Sequence, residues 1–104
     1  MATKKKATKA ASAPKSKSPI RVGNKVFIRT VTYHYTGEIV EVTPQDIVLA
    51  KVAWIADSGI FSQAMSTGAL NEVEPYPDTV TVSVSRGASV DVSDWPHELP
   101  RTRK

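Results

Sequence analysis

The sequence has no cysteine, which excludes a disulfide framework, a thiolate metal site and a thiol nucleophile. Histidine is scarce. His34 and His97 stand alone, so neither a zinc site nor a proton relay finds the partners it needs. No apolar run approaches the roughly 20 residues that span a bilayer, and no membrane partner is expected. The five glycines are scattered singly, so no loop cradles a phosphate. The serines have no base in a recognisable arrangement. The acid pairs Glu72/Glu74 and Asp91/Asp94 lack calcium-loop spacing and read as surface charge. The expectation is a chain that is not an enzyme, with no catalytic residue, no metal and no cofactor. Its 104 residues leave room for one domain at most.

Acid is missing altogether from one stretch. Residues 1–21 carry seven bases, Lys4, Lys5, Lys6, Lys9, Lys15, Lys17 and Arg21, and no carboxylate. Residues 101–104 add Arg101, Arg103 and Lys104. The middle, 22–100, sets four bases against all ten acids. The net charge of +4 is therefore a property of the two ends, and the body is acidic. A body that grips nucleic acid needs bases on its own surface. Contact with DNA or RNA is expected through the ends instead. The bland alternative is a pair of solvated tails.

Residues 1–20 are Lys, Ala, Ser, Thr and Pro with almost nothing to bury, and are expected to be a disordered basic arm. From Val22 the character changes. Residues 26–35 are β-branched and aromatic and read as one long or broken strand. Gly37 marks a bulge or bend, and 38–42 continue as strand. Thr43-Pro44-Gln45-Asp46 is a turn. Residues 47–55 are apolar on both faces apart from Lys51, which predicts a central strand covered on both sides. The connection 56–78 is too long to be structureless. A short helix is expected near 59–67, capped by Asp57 or Ser58 and ended by Gly68. Residues 79–85 and 89–93 alternate valine with polar residues and read as two strands around Arg86-Gly87. Trp54, Phe61 and Trp95 are expected in the core, Tyr33 and Tyr35 exposed on one strand face, and Tyr76 as a loop anchor. The domain plan is an arm at 1–20, a five-stranded, strongly bent SH3/Sm-like barrel at 21–95, and a basic tail at 96–104.

Gly37-Glu38-Ile39-Val40-Glu41-Val42-Thr43-Pro44-Gln45-Asp46-Ile47-Val48-Leu49 resembles the first motif of Sm and Sm-like proteins. Val82-Ser83-Val84-Ser85-Arg86-Gly87-Ala88-Ser89-Val90-Asp91-Val92 resembles the second. The chain is also similar to small uncharacterised proteins of bacteria and their phages. The resemblance implies a small barrel that forms closed rings and uses Arg86 as a base contact. It departs from the family at Thr43, at Asp46 and in having no N-terminal helix.

Strand 79–85 has neither charge nor proline, so at a sheet edge it would offer unprotected backbone groups. Val80, Val82 and Val84, with Val90 and Val92 of the closing strand, mark the expected oligomer edge. Pairing between copies there is heterologous and closes into a ring when the rotation allows. The functional expectation is an oligomerising binding module whose arms contact DNA or RNA without sequence preference. The alternative is a structural or accessory protein of a phage or other bacterial assembly, with the acidic barrel as its protein-binding surface. Either fits a cytoplasmic chain or one associated with a virion.

Overall fold

A computed structural model describes residues 17–104. The expected arm at 1–16, with Lys4, Lys5, Lys6, Lys9 and Lys15, lies outside the described residues. The described chain is mainly β. Its strands are β1 (Lys25–Thr30), β2 (His34–Val42), β3 (Asp46–Asp57), β4 (Glu72–Pro75), β5 (Val82–Ser85) and β6 (Ser89–Asp94), with one helix, α1 (Phe61–Thr67), between β3 and β4. All pairings are antiparallel, in the order β4-β3-β2-β1-β6, with β5 on β3.

There are six strands where five were expected. The apolar run 26–35 is broken at 31–33, where Thr30 and Tyr33 close a tight turn through Thr30 N–H to Tyr33 O, 3.0 Å, and the Thr30 hydroxyl. The extra strand is β4. It is too short, and ends in a proline, for its alternation to be visible in the sequence. No ladder joins β5 to β6 among the described residues, so the sheet is open.

β3 is central, as its two-sided apolar pattern requires. Its first half pairs with β5 and its second half with β4, while β2 runs along the other side. Between the halves, Lys51 and Val52 together face Gly37, since Glu38 pairs with Ala50 and Thr36 with Ala53. This is a bulge, and Lys51 takes its left-handed position at φ +52°. The extra residue inverts the side-chain alternation. Ile47, Leu49 and Val52 enter one core cluster with Val26, Ile28, Ile39 and Val84. Ala53 and Ile55 enter a second on the opposite face, with Phe27, Ala64, Leu70, Val73 and Trp95. Gly37 permits the close approach opposite the bulge. A Cβ there would lie 3.0 Å from the Leu49 Cβ and 3.2 Å from the Ala50 carbonyl oxygen.

The second cluster is roofed by α1 and by residues 95–104. Asp57 accepts a bond from the Gly59 N–H, 2.8 Å, ahead of the helix. Gly68 ends it at φ +81°, its N–H donating to Ala64 O. Residues 96–104, expected as a tail, are built into the fold. The Lys104 and Val73 backbones exchange two hydrogen bonds of 3.0 and 3.2 Å. Lys25 Nζ donates to His97 O, 2.7 Å. The Trp95 indole N–H donates to Glu98 O, 3.1 Å.

Candidate binding cleft

Across one face of the sheet, Ile28, Tyr35, Trp54 and Glu74 stand in cross-strand register. At the β4 end of that row the surface opens into a cleft of about 330 Å³, lined by Trp54, Glu74, Pro75, Tyr76 and Pro77. Trp54 was expected in the core. The bulge at Lys51 turns it onto this partly open face instead, where it is half-buried. Tyr33 packs on it with ring centroids 4.6 Å apart. Tyr33 is exposed and Tyr35 half-buried, so the expected pair of exposed tyrosines reduces to one.

Arg101 holds the cleft wall in place. Its guanidinium donates to Val52 O at 3.1 Å and to Tyr76 O at 2.8 Å, and it pairs with Asp78. The Tyr76 N–H donates to Val52 O, 2.8 Å. Burial foremost, and then the neighbouring Tyr35 phenol, hold the Tyr76 phenol above its ordinary pKa. The Arg103 guanidinium lies 3.9 Å from the Glu74 carboxylate at the rim.

Among the described bases expected to contact nucleic acid, the arginines Arg21, Arg86 and Arg101 each donate to backbone carbonyls. Arg101 anchors the cleft, and Lys104 is tied to β4 through its backbone while its side chain stays exposed. Arg86 donates to Thr43 O, 3.0 Å, and its N–H to Gln45 O, which staples the turn between β2 and β3. Arg21 donates to Ser18 O and lies 3.9 Å from Asp94. Lys17 is exposed.

On the opposite face, Asp91, Arg29 and His34 stand in one cross-strand row. Arg29 Nε donates to Asp91 Oδ1, 3.0 Å, and the guanidinium lies 5.0 Å over the Phe61 ring. Arg29's hydrogen bonds hold the Asp91 carboxyl below the usual carboxylate range, against a smaller opposing effect of burial. Phe61, expected in the core, is 39% exposed. His34 packs its ring on Phe27, 5.5 Å, and its buried Nδ1 has no hydrogen-bond partner among the described residues. His97 Nε2 lies 2.7 Å from Met65 O. No cluster of potential metal ligands occurs among the described residues, and no described helix is long and apolar enough to cross a membrane.

Of the expected edge valines, Val84 is buried and Val82 and Val92 pack against the same core. Val80 precedes β5, and Val90 is exposed. β5 pairs only with β3, and β6 only with β1, so each has an outer edge without a ladder among the described residues. The third edge, on β4, is occupied by Lys104. Comparison with protein-family descriptions, curated proteins and solved structures finds no match.

Proposed function

We propose that this chain is a non-enzymatic, self-associating β module that holds nucleic acid through its basic N-terminal arm, without sequence preference. The observation that carries the reading is the commitment of most of the body's bases. Lys25, Arg29, Arg86 and Arg101 are each spent on internal carbonyls or carboxylates. The six lysines of residues 1–17, with no acid among them, are the densest set of bases left for a polyanion, ahead of the exposed Lys51, Arg103 and Lys104. The Sm-like barrel belongs to this proposal. It is supported by the bend at Lys51 and by the short Arg86–Ala88 turn that joins β5 to β6. The open edges of β5 and β6 support association between copies, and several arms on one assembly raise avidity without new contacts.

Duplex DNA titrated at several salt concentrations tests the arm. Engagement of six lysines gives a log–log salt slope of about −5. Replacing Lys4, Lys5, Lys6 and Lys9 by Gln reduces its magnitude by about 3 to 4, whereas Arg101→Lys leaves it unchanged. A slope that ignores the four lysines refutes the reading.

A second reading is a structural or accessory protein of a larger assembly, such as a phage particle, docked through its acidic body. The exposure of Val31 at 88%, Ile60 at 64% and Val90 at 57% favours it. Co-sedimentation with a particle independent of the arm lysines would select it.

A further inference from the structure

Around the Trp54 cleft the charge of the acidic body reverses. Segments 51–54, 74–78 and 101–104 carry Lys51, Arg101, Arg103 and Lys104 against Glu74 and Asp78. Both acids are already answered, since Arg101 pairs with Asp78 and the Arg103 guanidinium lies 3.9 Å from Glu74. The Lys51 side chain is exposed, with no partner among the described residues. Lys51 adjoins Val52, whose carbonyl accepts the Tyr76 N–H at 2.8 Å, and Lys104 is bonded to Val73 beside Glu74. Cations therefore stand at both ends of the cleft. Between them lie the half-buried Trp54 indole and Tyr76 phenol. Tyr33 extends the aromatic surface, its ring centroid 4.6 Å from that of Trp54.

Aromatic rings between cations suit a flat group with an anion on either side, as a nucleobase and its flanking phosphates provide. The cleft holds about 330 Å³, at the small end of ligand-sized pockets, which run from about 300 to 1,000 Å³. It has room for one nucleobase turned out of a strand, and not for a duplex, whose bases are stacked inside. A peptide fits less well. The outer edge of β4 is taken by Lys104, and the Tyr76 N–H and carbonyl are both bonded internally, so no ladder is on offer. A basic proline-rich segment would also meet more cations than carboxylates. We infer that the cleft receives an unpaired nucleobase of single-stranded nucleic acid against Trp54 and Tyr76, with Lys51 and Arg103 on the flanking phosphates. Arg103 serves both partners. A guanidinium has five N–H donors, so it meets a phosphate while still screening Glu74, and an exposed pair at 3.9 Å holds it loosely. The inference rests on the nucleic-acid reading and deepens it: the arm takes phosphates of either form, and the cleft favours the single strand.

The two tryptophans give the test its readout. A thymidine octamer and a DNA hairpin of equal charge are titrated into the isotope-labelled full chain, and the two indole N–H resonances are followed. The Trp54 resonance is expected to shift with the octamer and not with the hairpin, while the buried Trp95 serves as internal reference. Trp54→Ala is expected to weaken octamer binding about 10-fold and to leave hairpin binding unchanged. Arg103→Gln, at a side chain 77% exposed, is expected to lower the octamer's log–log salt slope by about 0.7 in magnitude, and it serves as the check if Trp54→Ala does not fold. A Trp54 resonance unmoved by the octamer, with the arm-dependent slope intact, overturns the inference and leaves the proposed function standing. A shift of Trp54 with a slope indifferent to Lys4, Lys5, Lys6 and Lys9 overturns the role of the arm and supports the cleft. Equal shifts with octamer and hairpin, or a shift with a proline- and lysine-bearing peptide in place of the octamer, overturn the assignment to a nucleobase. A chain that binds neither form overturns both readings.

Discussion

Lys51 is the residue on which the molecule turns. A left-handed backbone costs an L side chain about 1–2 kcal/mol, and here it sits opposite a glycine that a single Cβ would crowd. Lys51→Gly is expected to raise stability by about 0.5–1 kcal/mol, and Lys51→Val to lower it by about 1–2 kcal/mol. Urea unfolding midpoints check both. Asp91 supplies a pH signature. Its pKa is held low in the fold by Arg29. That contribution is present above the unfolded carboxylate range and is lost as pH falls through the folded value. Wild-type stability should therefore decline below about pH 4, and Asp91→Asn should decline less, as followed by thermal melts across pH 2–6.

At the scale of elements, residues 95–104 behave as a strap. Arg101 satisfies the Tyr76 carbonyl, adds a second donor to Val52 O beside the Tyr76 N–H, and pairs with Asp78. Arg101→Met removes the donor to Tyr76 O, while Val52 O keeps the Tyr76 N–H, and is expected to cost about 1–3 kcal/mol, measured by chemical denaturation. The sequence disclosed β1, β2 and β3 through their β-branched runs, and α1 through apolar spacing and Gly68. It disclosed β5 and β6 through valine alternation. It hid β4, which is four residues long, and the strap, whose ties are mostly from side chain or backbone to a distant backbone. Basic composition at 101–104 suggested a solvated tail because charge says nothing about which carbonyls a guanidinium will meet. The cleft was half-legible. Trp54 and Tyr76 were singled out as aromatics, but only the inversion at Lys51 turns Trp54 away from the core.

At the scale of the whole molecule, edges and charge decide behaviour. One sheet edge is sealed by Lys104, while β5 and β6 each have an outer edge without a ladder among the described residues. A charge on an edge strand opposes pairing between copies. Ser83 is exposed on β5, and on the proposal that copies associate through these edges Ser83→Lys is expected to leave the 11.3 kDa monomer folded and unassociated. Native mass spectrometry checks the mass, and circular dichroism the fold. The ties that complete the body share one more property. β6 joins β1, His97 O holds Lys25, Arg101 reaches Val52, and Lys104 meets Val73. Each spans a long stretch of sequence, and contacts of that kind form late. Each also waits for residues beyond 88 to be translated. The seven bases of residues 1–21 leave the ribosome before the acidic body does. Synthesis thus delivers the cations before the acidic surface that offsets them has taken shape.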